Sequence, residues 1–170
     1  APCGMCAIRP MTLCGAMEAD EVHLISAVMT RREMDAGEAV FEEGDPAEMV
    51  FNVTAGALKM YKLLPDGRRQ ITGFLFEGDF FGLTGPASER YAFTAETLTP
   101  VRLCRFGRRR LEELLEAHPK LERRLLGIAS NELAAAQDQM LLLGRKTAKE
   151  RLATFILHVA RRYRQRGLVD

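Results

Sequence analysis

The chain has 170 residues, 47% of them apolar and 28% charged, enough for one good hydrophobic core plus a smaller appended element. No apolar run nears the roughly 20 residues that span a bilayer and no secretory segment is visible, which points to a cytoplasmic protein with no membrane contact. Its 24 basic and 23 acidic side chains nearly cancel, but the net charge of +1 conceals a basic carboxyl end, Arg161-Arg-Tyr-Arg164-Gln-Arg166.

Residues 1–17 carry three of the four cysteines, Cys3, Cys6 and Cys14, spaced C-x2-C-x7-C. The fourth, Cys104, lies in the strand-like run Val101-Arg-Leu-Cys104-Arg-Phe106. The opening segment has almost no periodic apolar pattern, so its order is expected to come from a bound group. An extracellular disulfide framework is disfavoured, because a chain this long supplies its own core. Incidental buried thiols are disfavoured too, because none of the three sits on an apolar stripe. Four thiolates suit zinc and iron–sulfur alike, and spacing alone leaves both open. Gly4 and Gly15, each beside a cysteine, would permit close backbone approach there, or would only loosen the loop.

From residue 18 to 117 the texture predicts a β-roll with flanking helices. Asp20 is a plausible N-cap for a helix over 21–29, with Leu24, Ile25, Val28 and Met29 at helical spacing. Glycine or proline then punctuates short Val-, Phe-, Tyr- and Thr-rich runs up to residue 106, and Pro65-Asp-Gly67 is a hairpin signal. Gly107–Ala117 reads as a short helix, closed by His118-Pro119.

Residues 118–144 predict a long dimerisation helix. Leu126, Ala129, Leu133, Ala136, Met140 and Leu143 form a coiled-coil seam, while Leu121, Leu125 and Ile128 form a second apolar face suited to the roll. After Gly144-Arg-Lys146, Thr147-Ala-Lys-Glu150 is a capping box that opens another helix. Its stripe of Leu152, Phe155, Ile156, Val159, Ala160 and Tyr163 has no partner in the remaining residues, so 145–170 reads as the head of a further domain. Arg161, Arg162, Arg164 and Arg166 are candidate DNA-phosphate contacts. Arg108-Arg-Arg110 and Arg123-Arg124 read first as solvated helix faces, and second as contacts to DNA or RNA polymerase. His23, His118 and His158 read as structural or solvent-facing. No Ser/His/Asp order, phosphate loop or paired carboxylate motif argues for an enzyme.

Taken together, the cysteine cluster, Gln70-Ile-Thr-Gly-Phe74 with Glu77-Gly-Asp79, Gln137–Leu143 and Lys149-Glu-Arg-Leu-Ala-Thr-Phe-Ile156 with Arg161-Arg162 resemble the FNR branch of the FNR/CRP transcription-regulator superfamily. The C-x2-C-x7-C spacing looks like its FnrN/FnrL variant, and FixK-like members are also similar. The resemblance implies an α+β fold: an antiparallel, cyclic-nucleotide-binding-like β-roll with an N-terminal loop and helix and a long C-terminal dimerisation helix. It implies a homodimer that binds DNA through a C-terminal helix-turn-helix and contacts RNA polymerase. It further implies a 4Fe–4S cluster on Cys3, Cys6, Cys14 and Cys104, lost or converted on exposure to oxygen. Two departures stand out. The helix-turn-helix expected after the helix at 147–166 is missing from this sequence. Gly82 is followed by Leu83 and Arg90 by Tyr91, where cyclic-nucleotide binders carry a glutamate and a hydroxyl. The alternative is a module for a cyclic-nucleotide-like effector, with structural zinc or no metal.

Overall fold

The turn-punctuated stretch makes eight strands among the described residues: β1 (Met29–Met34), β2 (Ala39–Phe41), β3 (Met49–Ala55), β4 (Leu58–Leu63), β5 (Arg69–Leu75), β6 (Phe80–Phe81), β7 (Thr94–Thr97) and β8 (Val101–Gly107). They are seen in a computed structural model that describes residues 3–84, 88–145 and 147–165; the side chains of 138–145, 148, 151, 158, 162 and 165 are not included. All pair antiparallel, in two four-stranded sheets ordered β1-β8-β3-β6 and β2-β7-β4-β5. The predicted hairpin joins β4 to β5. Gly67 takes φ +81° there, and the Asp66 carboxylate accepts from the Arg68 backbone N–H.

Strand side chains alternate between faces, and this decides what each sheet presents. Phe51 and Val53 of β3, and Val101 and Leu103 of β8, point into a shared core with Leu58, Leu75 and Ala95 of the facing sheet. Aromatic rings fill one end of that core: Phe41 stacks on Tyr91 with centroids 3.6 Å apart, and Phe51 stacks on Phe81 at 5.1 Å. The alternate residues, Asn52 of β3 and Cys104 of β8, therefore lie on the outer face of the β1-β8-β3-β6 sheet.

Four helices accompany the strands among the described residues: α1 (Val22–Ala27), α2 (Arg108–Ala117), α3 (Pro119–Arg145) and α4 (Ala148–Gln165). Helix α1 is shorter than the predicted 21–29. Met29 instead opens β1 opposite Phe106, so pairing with β8 overrides the helical periodicity. Asp20 does not cap α1, and the Glu21 carboxylate accepts from the Glu18 N–H instead. The expected capping box at α4 is present: the Thr147 backbone N–H donates to the Glu150 carboxylate at 2.8 Å, and the Glu150 N–H donates back to the Thr147 hydroxyl at 3.4 Å.

The chain divides into two compact units, Ala1–Arg124 and Leu125–Asp170. In the first, Leu121 at the start of α3 is fully buried. In the second, Leu126 and Leu133 of the predicted seam are 67% and 61% exposed, Ala136 is exposed and Ala129 half-buried. The side chains of Met140 and Leu143 lie outside the described residues. Leu152, Phe155 and Ile156 of α4 are exposed, as are Arg161 and Arg164. The Arg162 side chain and Arg166 lie outside the described residues. No described helix is long and apolar enough to cross a membrane.

Candidate functional site

The opening segment folds as three short 3-10 turns, Cys3–Met5, Arg9–Met11 and Leu13–Ala16. Although it shows no apolar period, the segment has apolar anchors of its own: Leu13 is fully buried and Met17 is 3% exposed. The run was too short for those anchors to register as a period. Thr12, also buried, donates its hydroxyl hydrogen to the Arg9 carbonyl and holds the turns together. Gly15 is needed for close packing: a Cβ there would lie 2.8 Å from the Arg9 carbonyl oxygen and 2.9 Å from that of Pro10. The neighbour it admits is backbone. Gly4 has open space around its Cβ position.

Between these turns and the outer face of the β1-β8-β3-β6 sheet lies a cavity of about 290 Å³. Cys3, Cys6, Cys14 and Cys104 all line it, although the last comes from a strand far along the chain. All four are half-buried free thiols. Burial pushes the Cys14 thiol up to about 11; its hydrogen bond with Thr12 opposes this, and the neighbouring Cys104, Cys3 and Cys6 add to it. Cys104 is likewise pushed up to about 11, by burial first and then by Cys3 and Cys6. Arg31, hydrogen-bonded to Cys104, pulls the other way. The four thiols thus form one electrostatic group. Both raised thiols are protonated at neutral pH and must lose a proton to act as ligands.

The donors and the size of the cavity decide what it can hold. The four sulfurs are soft donors, suited to iron–sulfur or zinc, and Glu33 adds a carboxylate to the lining. Among the described residues, no group of three or more His, Cys, Asp and Glu side chains is arranged to hold a single metal ion. The space is larger than one ion fills. Four thiols lining one cavity fit either an iron–sulfur cluster or a zinc ion.

The sequence reading missed the polar residues that share this cavity, Arg31 and Asn52 among them. Both stand directly opposite Cys104 in register, Arg31 on β1 and Asn52 on β3. The signal for Asn52 was a single amide inside the apolar run Met49-Val-Phe-Asn-Val53. Of the basic groups, Arg109, Arg110, Arg123 and Arg124 are exposed, as solvated faces are, and Arg108 is half-buried. Arg108 donates to the carbonyls of Ala47 at 2.7 Å and Gly82 at 3.2 Å. Arg124 donates to the Pro10 carbonyl at 2.8 Å, and Lys120 pairs with Glu21 at 3.1 Å and Glu18 at 3.8 Å. The first turns of α3 are therefore tied to the segment that carries the cysteines. Arg90, which a cyclic-nucleotide reading would aim at a phosphate, donates to the Gly44 carbonyl at 2.6 Å. His23 is exposed on α1 and His118 half-buried at the α2–α3 junction; the His158 side chain lies outside the described residues.

The profile of the cyclic nucleotide-binding domain family matches residues 31–118. The nitrogen fixation regulation protein FixK of Bradyrhizobium diazoefficiens is 40% identical over 91% of this chain and 65% of its own length. The transcriptional activator Anr of Pseudomonas aeruginosa is 37% identical over 98% of this chain and 69% of its own, and the activator FnrL of Cereibacter sphaeroides is 36% identical over 94% and 64%. The chain spans about two thirds of the length of these curated relatives. Among known structures, FixK2 from Bradyrhizobium japonicum superposes with a TM-score of 0.73 at 41% identity, covering 79% of this chain and 67% of that one.

Proposed function

The chain belongs to the cyclic nucleotide-binding domain family, in its FNR-type branch of transcription regulators, and from that premise we propose that it is the sensory and dimerising part of an oxygen-responsive regulator whose Cys3, Cys6, Cys14 and Cys104 hold a 4Fe–4S cluster. The observation that carries this reading is the convergence of all four cysteines on one cavity large enough for a cluster.

A bound cluster supplies an oxygen-labile cross-link between the N-terminal turns and β8. The chain's own residues turn that link into a signal. Pro10, Glu18 and Glu21 accompany the ligand turns and hold Arg124 and Lys120 at the base of α3. These contacts tie the helix base to the segment that carries Cys3, Cys6 and Cys14, which would hold the cluster. Leu126 and Leu133, exposed in one chain, seek a second copy along the seam. A bias of about 1.4 kcal/mol shifts the dimer equilibrium tenfold, so modest repacking suffices. In the full-length protein the dimer would present DNA-binding elements to two half-sites, with Arg161 and Arg164 beside the phosphates and RNA polymerase as the partner in activation.

Cys104→Ala is expected to abolish the visible absorption of anaerobically reconstituted protein. Unchanged absorption, iron and acid-labile sulfide would show the ligand assignment to be wrong. Every described seam position is apolar and uncharged, so the cluster-free protein should also dimerise appreciably at micromolar concentration. Sedimentation that finds only monomer there would rule out this second expectation.

A further inference from the structure

Asn52 is 1% exposed, and its side-chain oxygen has no hydrogen-bond partner. A buried amide left unpaired costs stability, and an apolar residue of the same shape would avoid that cost. The neighbouring strand positions obey the apolar rule: Val50, Phe51 and Val53 are all buried. Asn52 is therefore a polar exception in the middle of a well-packed strand, and its surroundings say what the exception serves. It lines the cysteine cavity. It stands opposite Cys104 across the β3–β8 ladder, while Arg31 stands opposite the same cysteine from β1. Directly opposed residues on antiparallel strands project from the same face with Cβ atoms about 5 Å apart. Cys104 is thus flanked by a guanidinium on one side and, on the other, an amide whose oxygen is unpaired.

We propose that Asn52 is a tuning residue for the group held by the four cysteines, donating an amide N–H to a sulfur at the Cys104 corner. The inference rests on the cluster reading above and deepens it. An amide carries an acceptor at one end and two donors at the other, and a half-turn of its terminal torsion exchanges them. Four thiolates around a cluster place net negative charge in the cavity, so the donor end faces sulfur. Arg31 already supplies a cationic donor to Cys104; Asn52 adds a neutral one from the opposite strand. Hydrogen bonds to cluster sulfurs favour the reduced, more negative state and raise the reduction potential.

The test uses anaerobically reconstituted protein with Asn52→Leu, close in shape, and Asn52→Val, a strong strand former. Both should load iron and sulfide as the parent does and lose the donor. The midpoint potential should then fall by about 59 mV, a tenfold change in the one-electron equilibrium, with an altered charge-transfer spectrum. The metal-free Leu variant should melt no lower than the metal-free parent, because it relieves an unpaired amide. A loaded variant with the parent's potential and spectrum overturns the inference while leaving the cluster reading intact. Failure of both metal-free variants to fold also overturns it, by making Asn52 a structural residue. A parent that takes up neither iron nor sulfide overturns the cluster reading, and the inference with it.

Discussion

Arg108 holds the start of α2 to the roll by a three-point clamp, and the strength of that clamp can be worked out. Its guanidinium donates from Nε to the Ala47 carbonyl at 2.7 Å and from Nη2 to the Gly82 carbonyl at 3.2 Å, while its backbone N–H donates to Glu48 at 2.8 Å. Truncation to alanine keeps the backbone bond and removes both side-chain bonds. Hydrogen bonds from a charged donor contribute about 1.5–3 kcal/mol each. The Gly82 bond is long, and both carbonyls can regain some water after truncation, so Arg108→Ala should cost about 3 kcal/mol in total. Arg108→Lys keeps the charge but offers a point donor in place of a planar fork, and should lose about half as much. Urea unfolding at fixed protein concentration, monitored by tyrosine fluorescence, reads this directly. The chain has no tryptophan, and two of its three tyrosines, Tyr61 and Tyr91, are buried in the roll. An alanine variant within about 0.5 kcal/mol of the parent, the range of ordinary surface substitutions, would refute the clamp.

Two further outcomes rest on burial. Leu121 is fully buried at the start of α3, so Leu121→Ala should cost about 3 kcal/mol, as truncated core leucines do; a loss below about 1 kcal/mol would mean the helix base is not seated as described. The metal-free protein should also lose stability as pH rises from 9 towards 11. Cys14 and Cys104 keep their protons up to about 11 in the fold, whereas unfolded thiols release theirs near 9. The native state then binds more protons across that window, and stability falls there and levels off above it. The slope is about 1 kcal/mol per pH unit for Cys14, and smaller for Cys104, whose solvent contact screens it. Urea midpoints under reducing, anaerobic conditions should show the fall in the parent and much less of it in Cys14→Ala/Cys104→Ala. Parallel pH profiles for the two would refute the shifts.

What the sequence disclosed divides by range of interaction. The β4–β5 hairpin at Pro65-Asp-Gly67 and the Thr147–Glu150 capping box are local chemistry, and both form where they were expected. The grouping of Cys104 with Cys3, Cys6 and Cys14 came from the family resemblance; composition and spacing alone supplied three thiols and no fourth. Arg31 and Asn52 were not legible as site residues, because strand register brings them to Cys104 and no local pattern encodes register. The basic groups were legible as exposed faces, Arg108 excepted, but not the partners that two of them find. Charge counts predict solvated faces, but Arg108 and Arg124 spend their donors on backbone carbonyls supplied by distant loops.

That use of Arg124 bears on how a signal would leave the cavity. The cysteine turns and the base of α3 meet through one arginine–carbonyl bond and two lysine–carboxylate pairs, all solvent-exposed. Exposed pairs of this kind contribute little singly, so no one of them can act as a rigid lever. The buried residues of the same segment, Leu13, Met17, Val22 and Ile25, offer the firmer connection, because close-packed side chains move together or not at all. Under the proposed function, Leu13, next to Cys14, is the buried residue through which the ligand turns would bear on the rest of the segment. A coupling this shallow would suit, under the proposed function, a switch that biases the dimer equilibrium rather than one that sets it alone.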